Sequence, residues 1–274
     1  MACRWMVWVV FSAKTTERNK AINLLDSVRI VLVEPASPGN IGSTARVMKN
    51  LGLSQLFLVN PGHWDTSEAR AMAHASGDIL DSSRTVADLP SAVADCQLVV
   101  GTTHRVGKER DAIYTPEQVV QKISPLLPDQ QVALVFGREK DGLWQDELLY
   151  CQHLVRFPSA VSYPSFNLSH AVLLFSYELF KISSLPPHPS PQRALAPHAE
   201  RERMFARLNE VLKTIGFTHH NNDTRHFSRI VRRFFNKVDL DMRDIRVILK
   251  ICNQVRRFSL RLQRSNPETQ STSE

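Results

Sequence analysis

The chain offers chemistry at three short segments, each following an apolar run. The first is the loop Pro35 to Gly42, which holds Pro35, Pro38, Gly39 and Asn40. One cation, Arg46, sits about a turn into the helix-period segment that begins at Gly42, near enough to reach a ligand bound at the loop. The second is Gly137-Arg138-Glu139-Lys140-Asp141-Gly142 and the third runs from Ser159 to Asn167. Polar side chains, glycines and single charges of this kind bind and orient a ligand. They do not make a metal centre or a dedicated nucleophile. No G-x-G-x-x-G opens the first segment, no Lys-Ser/Thr follows Gly142, and neither a G-x-S-x-G elbow nor a His/Cys/Glu cluster is present. Cys3, Cys96, Cys151 and Cys252 stand apart with no C-x-x-C spacing, so neither a zinc site nor a disulfide framework is expected. Each segment also has a structural reading. Asn40 can satisfy turn backbone, Arg46 can pair on a helix surface, Gly137 can be a turn glycine, and Ser165 with Asn167 can cap the helix that follows.

The elements that must position these residues alternate. Ile30 to Val33 is apolar and runs into the first loop, a helix follows, and Leu56 to Val59 is apolar again. This is a βαβ unit, whose first loop lies at the carboxyl end of a parallel strand, where such sheets bind ligands. Helices are expected over Thr66 to Ser76 and Asp88 to Ala94, then a strand over Gln97 to Thr102 and a polar loop through Arg105, Lys108 and Arg110. A helix opens at Thr115-Pro116, with Thr115 as N-cap. Val132 to Phe136 and Leu154 to Phe157 read as strands, and a helix runs from Asn167 to Ser183. Strands alternating with helices predict an α/β domain with a mainly parallel sheet.

Five prolines between Leu185 and Pro197 mark a semi-rigid linker. Beyond it, Met204, Phe205, Leu208, Val211, Leu212 and Ile215 recur at helical steps, and two more helices are expected over Thr224 to Asn236 and Asp241 to about Arg261. The domain plan is therefore an N-terminal extension (1–27) expected to be disordered, an α/β domain (28–184), the linker (185–197), a basic helical segment (198–264) that could pack on a partner subunit, and a disordered tail (265–274). From Glu200 onward sixteen Lys/Arg face nine Asp/Glu, which is the whole formal net charge of +7. A segment carrying all the excess charge points to a polyanionic partner, nucleic acid above all. The cysteine usage fits a reducing cytoplasm, and no apolar run reaches the roughly 18 residues that span a membrane. The apolar stretch Trp5 to Phe11 superficially resembles a signal-peptide core, but only one Arg precedes it and the βαβ unit follows closely, so export is not expected.

In order, GNIGSTARVMKNLGL, LVVGTTHR, LVFGREKDGL and YPSFNLSHAV resemble the SPOUT methyltransferases, specifically the TrmH-like group and its TrmJ branch. The resemblance is strong over Val28 to Ser183. It continues weakly at KTIGF and HFSRIVRRFFNK. It implies a SPOUT-type parallel sheet whose C-terminal part forms a trefoil knot, followed by the small helical segment, in a homodimer. It implies S-adenosylmethionine as cofactor, held at Thr102, Thr103, His104, Gly137, Phe157, Pro164, Ser165, Phe166 and Asn167. His104 stands where the family often has a small residue. Pro164, often Ser in the family, cannot donate an amide proton.

The resemblance further implies a catalytic set of Asn40, Arg46, Glu139, Ser165 and Asn167, with no metal. Because a guanidinium sheds a proton so reluctantly, Arg46 reads as an electrostatic orienter paired with Glu139, its own or that of the other subunit. Asn40 would hold the ribose, and Ser165 and Asn167 would position ribose or cofactor. The implied activity is 2′-O-ribose methylation of tRNA at position 32 of the anticodon loop, on cytidine or uridine. The alternatives are an rRNA ribose methylase and a non-catalytic RNA-binding module. Arg225, Arg229, Arg232 and Arg233 share one helix and form the expected RNA-binding row, whereas Phe234 and Phe235 read as core.

Overall fold

The structure, a computed structural model, describes residues 24–104, 113–161, 166–183, 194–217 and 224–265. The extension up to residue 23, the Arg105–Arg110 loop, Pro164 and Ser165, residues 184–193 with most of the 185–197 linker, all of the 265–274 tail after residue 265 and the side chain of Arg225 lie outside the described residues.

A 3-10 turn, Leu24–Ser27, leads into β1 (Val28–Val33), so the folded part begins before residue 28. There follow α1 (Pro38–Leu51), β2 (Gln55–Val59), α2 (Ser67–Ala73), α3 (Gly77–Asp81), β3 (Arg84–Val86), α4 (Leu89–Val93) and β4 (Leu98–Thr102). Next come β5 (Ile113–Tyr114), α5 (Pro116–Ile123), β6 (Val132–Phe136), α6 (Gln145–Leu148), β7 (His153–Val155) and α7 (Leu168–Ser183). The last three helices are α8 (His198–Thr214), α9 (Thr224–Asn236) and α10 (Met242–Ser265).

Seven strands form one sheet in the order β3-β2-β1-β6-β4-β7-β5, and every described pair is parallel. Their carboxyl ends therefore share one edge. The strands read as unbroken apolar runs because both faces are covered. Ile30, Leu32, Leu56, Leu58, Leu134 and Phe136 enter one core cluster. Their alternating neighbours Val31, Val33, Phe57, Val59, Ala133 and Val135 enter the other. Arg29, inside β1 and almost fully buried, is held by Asp95, by the carbonyl of Ala92 at 2.6 Å and over the ring of Phe57 at 4.0 Å.

Helix α1 begins where Ser37 caps the amide of Asn40 and Pro38 takes the first turn. It ends at Gly52, whose φ of 77° suits the left-handed cap. Ile41, Ala45 and Met48 face the core, which leaves Arg46 exposed. At Gly42 a Cβ would collide with the carbonyl of Ala69, so only glycine lets α1 and α2 approach this closely.

The expected Leu154–Phe157 strand is His153–Val155, and α8 starts six residues before its first clear apolar position. Strands β3 and β5 and helix α6 had no sequence signal, since three-, two- and four-residue elements carry no readable period. The helical segment docks on its own chain. His198 and Ala199 amides bond the carbonyls of Cys96 (2.9 Å) and Ala94 (3.0 Å), and Asn236 Nδ2 reaches the carbonyl of Cys151 (3.3 Å). A small core of Ala196, Met204, Phe205, Leu240 and Ile245 ties α8 to the start of α10.

Candidate active site

At the shared edge, the segments after β4, β6 and β7 enclose a cavity of about 280 Å³. Phe136, Phe157, Phe166 and Leu168 give it apolar walls, and Arg138, Glu139, Lys140, Asp141 and Arg156 bring charges of both signs to it. Thr102, Thr103, His104 and Gly137 line it as well. Thr102 Oγ1 donates to the carbonyl of Val135 (3.2 Å) and the Thr103 amide to that of Val155 (2.9 Å), which fixes the β4 end against its neighbours. A Cβ on Gly137 would fall on the backbone of Gly142 and Leu143. The Arg138–Gly142 loop folds back on itself there through two backbone bonds, Arg138 N to Gly142 O at 3.2 Å and Gly142 N to Arg138 O at 2.9 Å.

Beside the cavity, Glu139, Asn40 and Asn167 join three segments. Glu139 accepts from the amides of Ala36 (3.0 Å) and Ser37 (3.2 Å) and from Asn40 Nδ2 (2.9 Å). An ionised carboxylate only accepts, so Asn40 must turn its nitrogen toward it and its oxygen away. That oxygen accepts from Asn167 Nδ2 at 2.8 Å. Asn167 Oδ1 in turn caps α7, accepting from Ser169 N (2.9 Å), Ser169 Oγ (2.7 Å) and His170 N (3.4 Å). Partial burial pushes the Glu139 carboxyl up, but the hydrogen bonds from Ala36, Asn40 and Ser37 outweigh it and hold its pKa below the usual value. The direction of every bond in the row thus follows from one charge. The row stays polarised above the ordinary carboxyl range and comes apart as acid protonates Glu139.

Asn40, Glu139 and Asn167 are thus brought together, while Thr102, Thr103, His104, Gly137, Phe157 and Phe166 surround the adjoining cavity. Arg46 does not join either group. It is exposed on α1, does not line the cavity and makes no bond to Glu139, whose oxygens are occupied by the start of α1. On α9, Arg233 is exposed, and the half-buried Arg229 reaches Gln145 at 3.5 Å. Arg232, expected in the RNA-facing row, turns inward instead. It pairs with Glu202, Nη2 to Oε2 at 2.6 Å, and its guanidinium lies 4.6 Å from the Phe205 ring centroid. Phe235 packs edge-on against Phe205, whereas Phe234, expected in the core, is 63% exposed.

The sequence reading missed Arg138. Its side chain is only 10% exposed and is pinned by Glu34 (2.8 Å) and by both oxygens of Glu147 (2.9 and 3.0 Å). Burial would push its pKa down, but the two carboxylates outweigh that and raise it. Arg138 is the post on which the cavity loop is built. The signal was the run of four charged residues between two glycines after a buried strand, a pattern too dense in charge for a simple turn.

The family model described as the SpoU rRNA Methylase family matches residues 27–177. A relative from Sodalis glossinidius, named tRNA (cytidine/uridine-2'-O-)-methyltransferase TrmJ, is 35% identical over 229 residues, covering 82% of this chain and 89% of the relative. One from Pseudomonas aeruginosa (strain UCBPP-PA14), named tRNA (cytidine/uridine/adenosine-2'-O-)-methyltransferase TrmJ, is 35% identical over 249 residues, 86% and 96% of the two chains. The crystal structure of TrmJ from Z. mobilis ZM4 superimposes with a TM-score of 0.73 at 30% identity, covering 83% of this chain and 98% of that one. The matched region contains the whole sheet, the cavity and the Glu139–Asn40–Asn167 row, and on that ground the chain belongs to the SpoU rRNA methylase family.

Proposed function

We infer that this protein is an S-adenosylmethionine-dependent tRNA 2′-O-ribose methyltransferase. The observation that carries the reading is the Glu139–Asn40–Asn167 row at the edge of the cavity, in a family member whose relatives are named for 2′-O-methylation of tRNA. The cavity suits the cofactor. Phenylalanine walls take an adenine ring, backbone at the strand ends takes its polar edge, and the mixed charges of Arg156, Lys140 and Asp141 take an amino-acid zwitterion. When bound, S-adenosylmethionine supplies an electrophilic methyl group on a sulfonium, and no metal is needed. Among the described residues no cluster of metal-ligating side chains exists.

The chain's own residues hold and orient the acceptor. Asn40 and Asn167, locked in direction by Glu139, present fixed polar groups to a ribose, so little reorganisation is left for the reaction itself. Ser165 belongs to this set by its place two residues before Asn167. Pro164, a cofactor-binding position by resemblance, can serve there only without an amide proton. Arg46 serves a site completed by a second copy of the chain, where it orients phosphate and hydroxyl. Its exposed position away from its own cavity supports that arrangement. The C-terminal part of the α/β domain forms a trefoil knot, one of the rare exceptions to unknotted topology. The target is position 32 of the anticodon loop, on cytidine or uridine. Arg229 and the exposed Arg233, with Arg225 on the same helix, hold the RNA backbone. No helix among the described residues is long and apolar enough to cross a membrane, and the free, buried Cys96, Cys151 and Cys252 fit a cytoplasmic enzyme.

A 2′-O-methyl group removes the hydroxyl that cleaves RNA in alkali. A tRNA transcript incubated with the protein and cofactor will leave one gap in the anticodon loop of an alkaline ladder. A complete ladder with a methylated base by mass spectrometry would refute ribose as the acceptor. A gap only in rRNA would move the substrate to the alternative that the family's name suggests.

A further inference from the structure

We propose that Trp144 is a stacking platform for an unpaired nucleobase of the RNA, flanking the nucleotide whose ribose is methylated. The proposal rests on the tRNA reading above. Trp144 is 52% exposed, yet its ring is held in place. The guanidinium of Arg138 lies 3.5 Å from its ring centroid and covers one face of the indole. The exposure therefore falls on the opposite face and the edge. Arg138 is fixed by Glu34 and Glu147, and the same Glu147 accepts from the Trp144 amide at 2.6 Å, so ring support and backbone share one anchor. A flat aromatic face held this way costs little further entropy when a second ring stacks on it.

The surroundings say which ring. Trp144 follows Glu139 by five residues, at most about 18 Å of extended chain, and the loop between them is folded back by the Arg138–Gly142 bonds. A base on Trp144 is thus within a few nucleotides of a ribose held at the Glu139–Asn40–Asn167 row. The next residue, Gln145, is touched by Arg229 from α9, which brings the basic helix alongside. Asp141 and Asp146 flank the indole in sequence and are exposed, so a phosphate is not the group received here. A neutral base is, with its phosphates running toward Arg229 and Arg233. Unstacked bases of single-stranded RNA on aromatic faces are the usual mode of such recognition.

The test uses the full chain and a tRNA transcript. Trp144→Ala is expected to weaken tRNA binding about tenfold, in the range of one stacked base. Trp144→Phe should recover most of the affinity, whereas Trp144→Leu, which still covers Arg138 but offers no ring, should not. S-adenosylmethionine affinity by calorimetry should stay within twofold, and the part of the tRNA-induced fluorescence quench that comes from Trp144 should vanish in all three variants. The proposal is overturned if Trp144→Ala binds tRNA within twofold of wild type, or if Leu restores binding as well as Phe. It is also overturned if sedimentation shows that Trp144→Ala weakens self-association, which would make a second copy the occupant. Should the wild-type protein neither bind nor methylate tRNA, the underlying reading fails and takes the platform with it. If the wild type binds and the variant matches it, the platform alone fails.

Discussion

Glu139 organises the site although it lies in no strand or helix. Its ionised carboxylate neutralises the start of α1, where backbone amides point outward and favour an anion, and in doing so it sets the direction of both asparagines. Arg46 stands apart, about 9 Å farther along α1 from Asn40, and this separates the roles experimentally. Arg46→Ala is expected to leave fold and cofactor binding intact and to lower methyl transfer by more than tenfold, over ~1.4 kcal/mol of transition-state stabilisation. Transfer above a tenth of the wild-type rate in a single-turnover assay would contradict the assigned role. Asn40, Glu139 and Asn167 could be named from their motifs, but not the bonds between them. Asn40 lies 99 residues from Glu139 and 127 from Asn167 in sequence, and nothing local says which way an amide turns.

Two elements show how packing decides what a motif can do. Gly137 looks like an ordinary turn glycine, but its φ is unremarkable and the space is what matters: a Cβ would sit on the Gly142 backbone. Gly137→Ala should force the Arg138–Gly142 loop open and lower S-adenosylmethionine affinity by more than tenfold in calorimetry, with a smaller change in thermal stability. Helix α8 supplies the second case. His198, at its first position, is buried with neither ring nitrogen hydrogen-bonded and lies edge-on to Tyr150 at 5.5 Å. Burial holds its pKa down at about 4, with Arg201 and Arg232 lowering it further and Glu202 opposing them. The unfolded chain, with an ordinary value of 6.5, therefore binds a proton that the folded chain refuses. The neutral ring's contribution is complete above pH 6.5 and is lost as pH falls toward 4, by up to about 3 kcal/mol. His198→Phe should flatten that part of the stability curve. Denaturant titrations at pH 7 and pH 5 that show the same loss for both proteins would count against it.

In the whole molecule, the basic excess sits on three helices docked against a neutral α/β body. Arg232 is consumed in tying α9 to α8 through Glu202, while Arg233 remains on the surface and Arg229 lies beside Gln145. Charge reversal at Arg229 and Arg233 should weaken tRNA binding and flatten its dependence on salt, by roughly one unit of log-log slope for each phosphate no longer neutralised. Filter-binding titrations over a salt series measure this directly. An unchanged slope would mean these arginines face no phosphate.

The βαβ opening, the alternation of strands and helices, the cap at Thr115 and the basic C-terminal helices were legible in the sequence, whereas α1 starts at Pro38, four residues before the expected Gly42. Each legible feature is set by neighbours within a few residues, through turn chemistry, helix caps or an apolar period. Strand order was not legible, because placing β6 between β1 and β4 depends on partners far apart in the chain, such as Val28 with Val132 and Leu98 with Val132. Nor was the burial of Arg138, whose partners Glu34 and Glu147 meet it only when the ends of β1 and β6 lie side by side. Sequence spacing determined which residue types reach the carboxyl edge of the sheet. The tertiary structure alone decided that Glu139 faces Asn40 rather than Arg46, that Arg232 turns inward, and that Trp144 lies half exposed against Arg138, because each depends on what lies across a gap that only the completed fold creates.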